Sequence, residues 1–378
     1  MSKAEELRRK VKRRKITIQA VLIGVSLLVV YGAFTTARTN LAAQGLTSGF
    51  GFLERSTGWD YSFSLVQKDI RDPYARTLFV GFLNTLFVGF IAIVLTTFLG
   101  FLIGTARDAS NLAVKTAATV YVQIFRNIPL ILQLVFLYAV LINLPGPRQA
   151  MSLADTVFMS NRGMMLPGLS VSPGIAVALL LASLAMGVLL IWTKLPFFRG
   201  LAVWIGGSIV LCLAVTAAFR PEGAGMFSVP ELKGLRFRGG ITIPIELFGM
   251  IIAITLYGSA YIAEVVRGGL AQVPRGLTEA GQALGLTKAA IWSRIKMPMA
   301  LRSIIPPLGN QWIFMMKATT IGVAIGFSDL FYIVSISITQ SGQTLELIAI
   351  LMGAFLLVNG GLAVFTNWLN ARMKLKAH

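Results

Sequence analysis

The sequence predicts an all-α integral membrane protein with about eight transmembrane helices. Three observations carry that expectation. Of 378 residues, 56% are hydrophobic and 13% charged, where a soluble domain carries roughly 25% charge. The apolar residues fall in runs long enough for a ~30 Å hydrocarbon core, which needs about 20 residues per helix. The basic residues are distributed unevenly between the loops. The net charge of +19 fits a membrane protein that keeps Lys and Arg on its cytoplasmic side. A nucleic-acid binder would gather them on a soluble basic domain, and the pattern contains no such stretch.

The runs are 17–37, 78–105, 116–143, 174–194, 199–219, 245–266, 305–334 and 345–370. The first follows the basic segment MSKAEELRRKVKRRK. It is longer than the 7–15 residues of a signal-peptide core, so it is expected to stay as a span. The small residues of TTARTNLAAQ imitate a cleavage site. The third run is interrupted by Arg126-Asn127-Ile128-Pro129 and the seventh by Lys317. The loops 38–77, 144–173 and 220–244 are rich in Gly, Pro, Ser and aromatics. Eight spans put both termini on one side. With the N-terminus inside, the inner segments hold 21 basic residues and the outer loops 11. That bias predicts cytoplasmic termini. The pattern shows no 3+3 inverted repeat of the kind found in secondary transporters.

Cys212 is the single cysteine and His378 the single histidine. An intrachain disulfide and a cysteine metal site are therefore excluded. The commonest general base and zinc ligand is reduced to one terminal residue.

One polar stretch lies between spans six and seven: EAGQALGLTKAAIWSRIKMPMA, Glu279 to Ala300. Pro274 and Gly276 break the chain before it. Thr278 is expected to cap a short helix, with Glu279 favourably placed in its first turn. Ala280, Ala283 and Leu284 recur at helical spacing and form an apolar face. Gly285 is suited to the left-handed position after the helix. Thr287 then caps a second helix whose face includes Ile291, Trp292 and Ile295, and Pro298 limits it. Such a knob needs cover for its apolar face. The cover is either the protein's own helix ends or a partner.

The spacing Glu279-Ala280-Gly281, three residues, Gly285, nine residues, Ile295, one residue, Met297-Pro298 resembles the EAA loop of importer-type ABC permeases. Gly281 stands for Ala and Met297 for Leu. GFLNTLFVGF (81–90), FRNIPLILQLVFLY (125–138), YIAEVVRGGLAQVPRG (261–276) and PPLGNQWIFMMKATTIG (306–322) resemble the permeases for polar amino acids. Asn127-Ile128 replaces the usual Gly-Thr, and Thr320-Ile321 the usual Ser-Leu. The resemblance covers about 76–143 and 240–372. It implies a type I importer permease core at 76–372, interrupted by a two-helix insertion at 144–239. The rest would be a basic cytoplasmic segment 1–15, a first helix with its periplasmic loop at 16–75, and a tail at 373–378. It also implies that Glu279, Ala280, Gly281, Ala283, Leu284, Gly285, Leu286, Ile295 and Pro298 dock a cytoplasmic ATPase.

Arg126 and Lys317 fall near mid-span, where a cation costs ~2.5–3.5 kcal/mol on an insertion scale. Such residues face protein, water or ligand. Two uses are open. With Asn127, Thr319 and Thr320 they can form a site for an amino-acid carboxylate. Alternatively Arg126 bonds carbonyls freed by Pro129, and Lys317 pairs with an acid such as Glu264. Glu264 itself lies three residues before Arg267, which favours a local pair, and could also meet an α-ammonium. Asp329 and Glu346 are expected near the membrane interface, or lining the mouth that meets a binding protein. Asn84 is expected to bond between helices.

The chain has no Gly-x4-Gly-Lys-[Ser/Thr] loop and no Gly-Lys pair at all. By resemblance ATP-Mg would belong to a separate ATPase dimer, and this chain would bind no cofactor. A second permease subunit, expected to be a paralogue, and a periplasmic binding protein would complete an amino-acid importer in the bacterial inner membrane. The rival readings are an ion-coupled carrier, which predicts mid-membrane acids, and a membrane enzyme, for which the equipment is missing.

Overall fold

The computed structural model describes residues 3–373 apart from 44–48, 192, 194–196, 222, 224 and 235. The expected tail residue His378 lies outside the described residues. The helices are α1 (Lys3–Ala43), α2 (Tyr74–Ala106), α3 (Leu112–Asn127), α4 (Leu130–Ile142), α5 (Pro173–Ile191), α6 (Phe197–Phe219), α7 (Ile245–Ala271), α8 (Arg275–Ala283), α9 (Lys288–Ile291), α10 (Met297–Ala318), α11 (Leu330–Ser341) and α12 (Thr344–Met373). Five of them, α1, α2, α6, α7 and α12, are individually long and apolar enough to cross a bilayer, and two bent pairs match that length. α5 adds 19 residues without a charge. Helices dominate because the hydrocarbon core offers no water to satisfy free backbone groups.

α7 is the axis of the bundle and packs against α2, α3, α4 and α10. Its approach to α2 depends on Gly100 and Gly104, one turn apart. A Cβ at Gly104 would lie 2.6 Å from the Val266 Cβ and 2.8 Å from the Ala263 carbonyl oxygen. Small residues at this spacing let two membrane helices touch along their backbones. Gly104→Leu is expected to cost about 1–3 kcal/mol, the usual range for overpacking, because a backbone carbonyl cannot move aside. A thermal melt in detergent checks this. Gly353→Leu is the control, since a Cβ there meets nothing within 4 Å.

Two expected spans are broken. Residues 116–143 form α3 and α4, which meet at 100°. Ile128, forced out of the helical region by Pro129, is extended (φ −96°, ψ 127°). Gln133 Nε2 donates to the freed carbonyls of Phe125 (2.9 Å) and Ile128 (2.8 Å). The run 305–334 also bends, by 49°. α10 tightens into a 3₁₀ turn over Thr319–Ile325, and Gly326 reverses the backbone at φ +73°. Asp329 then caps α11 by accepting from the Tyr332 N–H at 2.8 Å.

Residues 144–244 depart from a helices-only architecture. α5 and α6 form a hairpin joined by Ser183 and Ser208 (2.7 Å) and by Trp204 Nε1 donating to the Ser183 carbonyl (2.7 Å). Their flanks fold together into a β lobe. Strands β1 (Met151–Leu153), β2 (Val157–Ser160), β3 (Gly163–Leu166), β4 (Gly168–Leu169), β5 (Phe227–Ser228), β6 (Glu231–Lys233), β7 (Arg236–Arg238) and β8 (Ile241–Ile243) make antiparallel sheets ordered β1-β2-β3-β8, β4-β5 and β6-β7. β8 runs through Pro244 directly into α7.

Candidate functional site

The knob after α7 is built by local chemistry. α8 begins at Arg275, directly after Pro274, one turn earlier than a Thr278 cap would place it. Glu279 is therefore mid-helix. Proline suits a helix start because its missing N–H would be unpaired there anyway. The helix ends as the sequence predicts. The Leu286 N–H reaches the Gly281 carbonyl (3.0 Å) and the Gly285 N–H reaches Gln282 (2.9 Å), the paired bonds of a Schellman turn. Gly285 takes φ +73°, which glycine adopts without cost. The Thr287 hydroxyl accepts from the Ala290 N–H at 3.2 Å.

Pro298 does not end the second helix. A π-turn over Trp292–Lys296 carries α9 into α10, with the Met297 N–H bonded to the Trp292 carbonyl. Pro298 then occupies the first turn of α10, where the lost donor is tolerated. Lys296 pairs with Asp108, tying the π-turn to the α2–α3 turn.

The faces of the knob divide cleanly. Gly281 is buried, and a Cβ there would lie 3.1 Å from both Ile291 and Ile295. Ile291 and Ile295 thus face inward, parted from Trp292, which is partly exposed. Leu286 is half-buried, and Glu279, Ala280, Ala283 and Pro298 are exposed. Leu284 is 80% exposed, and Leu277 is exposed on the same side. Leu277, Ala280 and Leu284, at i, i+3 and i+7, make one apolar stripe. Among the described residues, no helix end of the protein covers it.

Two cavities lie along α7. One, of about 300 Å³, is lined by Arg107, Gln123, Arg126, Asn127, Tyr261 and Glu264. The other, of about 480 Å³, is lined by Tyr257, Tyr261, Asn310, Gln311, Phe314 and Lys317. Tyr261 belongs to both. Its hydroxyl accepts from Tyr257 at 3.1 Å, and the Arg126 guanidinium stands 5.0 Å from its ring centre.

Glu264 is the electrostatic centre of the smaller cavity. It accepts from Arg267 (Nε, 3.0 Å), the expected local pair, and from Arg107. Arg126 is 3.6 Å away. One carboxylate from α7 therefore faces three guanidinia: Arg107 at the end of α2, Arg126 on α3, and Arg267 on α7 itself. Neither structural alternative for the mid-span cations occurs. The carbonyls near Pro129 are taken by Gln133, and Lys317 is exposed in the larger cavity, with no ion pair among the described residues.

Thr319 lies outside both cavities. It is fully buried and donates to the Met316 carbonyl at 2.9 Å. The Thr320 hydroxyl turns back to the Lys317 carbonyl at 2.8 Å. Asp329 and Glu346 are buried within the protein, the first capping α11 and the second accepting from the Gly49 N–H at 2.7 Å. Asn84, also buried, does not bond helix to helix. It donates to the Phe63 (3.1 Å) and Ser328 (2.8 Å) carbonyls and accepts from the Leu65 N–H (3.1 Å), pinning a loop to the break before α11.

Sequence reasoning missed Arg107, Tyr257, Tyr261, Asn310 and Gln311. A signal existed. Tyr257, Tyr261 and Glu264 recur at i, i+4 and i+7, as Asn310 and Lys317 do at i and i+7, marking polar stripes in apolar helices.

A multi-pass helical protein with polar, cation-bearing cavities along its central helix and an uncovered apolar knob is a transport subunit. The chain belongs to the family described as binding-protein-dependent transport system inner membrane component, whose model matches residues 97–375. It is 36% identical over 367 residues to YhdX of Escherichia coli (strain K12), covering 94% of this chain and 93% of that one. It is 34% identical over 375 residues to the general L-amino acid transport system permease protein AapQ of Rhizobium johnstonii, covering 96% and 93%. It is 32% identical over 402 residues to the glutamate/glutamine/aspartate/asparagine transport system permease protein BztB of Rhodobacter capsulatus, covering 96% and 94%. The protein is a non-catalytic, multi-pass permease subunit of an ABC importer, a family whose members work with an ATPase and a substrate-binding protein.

Proposed function

We propose that this chain forms the pathway of an ATP-driven importer for polar L-amino acids, acidic, neutral or both. Residues 76–372 would form its functional unit. Hydrolysis of ATP-Mg occurs on a cytoplasmic ATPase dimer that grips the knob through Leu277, Ala280, Ala283 and Leu284, positioned by Gly281, Gly285, Leu286, Ile291 and Ile295. Glu279 and Pro298 flank that surface. Both chain termini are cytoplasmic, and the second permease subunit is a paralogue. The uncovered apolar stripe on α8 carries the coupling reading. The amino-acid substrates for which AapQ and BztB are named support the assignment.

In this reading Lys317 and Arg126, with Asn127, present positive charge to the carboxylate that every amino acid brings, and Tyr261 parts the two cavities. Thr320 contributes its backbone turn at Lys317, and Thr319 its helix packing. Lys317→Ala is expected to lower uptake at limiting substrate about tenfold, the loss of one charge-assisted hydrogen bond of ~1.5 kcal/mol. Assembly with the ATPase is expected to persist. Uptake unchanged in a fully assembled variant would remove Lys317 from the pathway.

The reading as a whole is tested by a mild-detergent pull-down of tagged protein from its native membrane. The expected result is an ATPase and a second, different permease chain. A pull-down that brings no ATPase even after cross-linking would sink the coupling assignment.

A further inference from the structure

The β lobe lines neither of the two cavities, yet it is a built structure. Residues 144–172 and 220–244, separated by the whole α5–α6 hairpin, meet through β3–β8 and β4–β5. Met165 of β3 is buried, and the lobe rests on the start of α7. Phe237 of β7 packs against Phe158 of β2 with the rings tilted and their centroids 4.7 Å apart, which seats the β6–β7 hairpin on the main sheet.

The outward surface of this lobe is both basic and apolar. Arg148, Arg162, Arg220, Lys233, Arg236 and Arg238 are exposed, against Asp155 and Glu231 among the described residues. On β7, Arg236 and Arg238 share the face opposite Phe237, because strand side chains alternate. Lys233 and Arg236 stand directly across from each other in the ladder. Like charges so placed repel by about a few tenths of a kcal/mol or more. Glu231 pairs with Lys233 at 3.3 Å and stands across from Arg238 in the ladder, which leaves Arg236 with no facing acid on the hairpin. Elsewhere on the lobe Met151, Leu153, Phe227 and Ile241 are each more than half exposed. Arginine, methionine and aromatic residues together mark protein interfaces rather than ordinary solvated surface.

We propose that this lobe, led by the β6–β7 hairpin, is a docking surface for the importer's substrate-binding protein, which would meet it with an acidic rim around an apolar centre. The inference rests on the importer reading and on the lobe joining the start of α7 while the knob follows its far end. β8 continues into α7, the helix that carries Tyr257, Tyr261 and Glu264. Docking would therefore be felt at the cavities through one rigid element.

The test uses the assembled transporter in nanodiscs of zwitterionic lipid. The probe is the binding protein that stimulates the wild-type complex's ATPase. Arg236→Glu with Arg238→Glu is expected to weaken binding of that protein at least about tenfold and to flatten its salt dependence, with basal ATPase unchanged. Arg236→Lys with Arg238→Lys is expected to retain most of the affinity. If the reversed variant does not assemble, Arg236→Gln with Arg238→Gln takes its place, and raised salt must weaken the wild-type complex in parallel. Unchanged affinity in an assembled variant overturns the proposal. So does an effect confined to nanodiscs with anionic lipid, which would make the lobe a headgroup contact. If no binding protein stimulates the wild type, the importer reading itself fails.

Discussion

Leu284→Asp is expected to abolish uptake while the protein reaches the membrane at its normal level. Leu284 is 80% exposed in the isolated subunit, so the folded chain loses almost nothing. The cost falls on the complex. Covering a leucine contributes about 1.5–3 kcal/mol, and placing a carboxylate in the same socket adds a desolvation cost of several kcal/mol. Together these lower the affinity for the ATPase by at least a hundredfold, each factor of ten being about 1.4 kcal/mol. The measurement is the amount of ATPase recovered with the tagged permease, alongside uptake by the same cells. Ile291→Asp provides the contrast. That residue is buried under Gly281, so its replacement should collapse the knob and lower the protein level as well. If Leu284→Asp retained the ATPase, the stripe would not be the coupling surface, and the α9 side of the knob would have to be.

What could be read in advance follows the range of the interactions involved. The spans are a property of local apolar length, and each of the eight runs contains helix. Gly285 and Thr287 were legible for the same reason, since their roles involve bonds across three to five residues. The breaks were only half legible. Pro129 and Gly326 are visible in the chain, but whether a long apolar run bends depends on partners for the freed carbonyls, and Gln133 does not advertise that task. The β lobe was not legible. Its strands are two to four residues long, too short for a periodicity to develop, and two of its pairings, β3–β8 and β4–β5, cross the α5–α6 hairpin. Arg107 reads as a loop charge. Only the packing of α2 on α7 through Gly100 and Gly104 carries it to Glu264.

Glu264→Gln is the second change with a large expected effect, because one carboxylate serves three helices. Glutamine keeps the shape and can still accept hydrogen bonds, but it leaves Arg107, Arg126 and Arg267 facing one another without an opposing charge. Removing one partner of a fully buried pair costs about 3–5 kcal/mol. The Glu264 side chain is 30% exposed, so solvent screens part of this, and about 1–3 kcal/mol is the fitting range. A melt of the detergent-purified protein should register that loss. Arg126→Gln in the same background should recover part of it, since it removes one of the repelling charges. The four melts then form a cycle that isolates the Arg126–Glu264 coupling. Transport should change in a way that packing alone would not produce. A cavity relieved of its only acid holds anions more tightly, so the KM for a dicarboxylic amino acid should fall together with the maximal rate, while a neutral substrate is less affected. An unchanged melting temperature would show that water already screens the three guanidinia. Unchanged KM values alongside a lowered melting temperature would confine Glu264 to holding α2, α3 and α7 together.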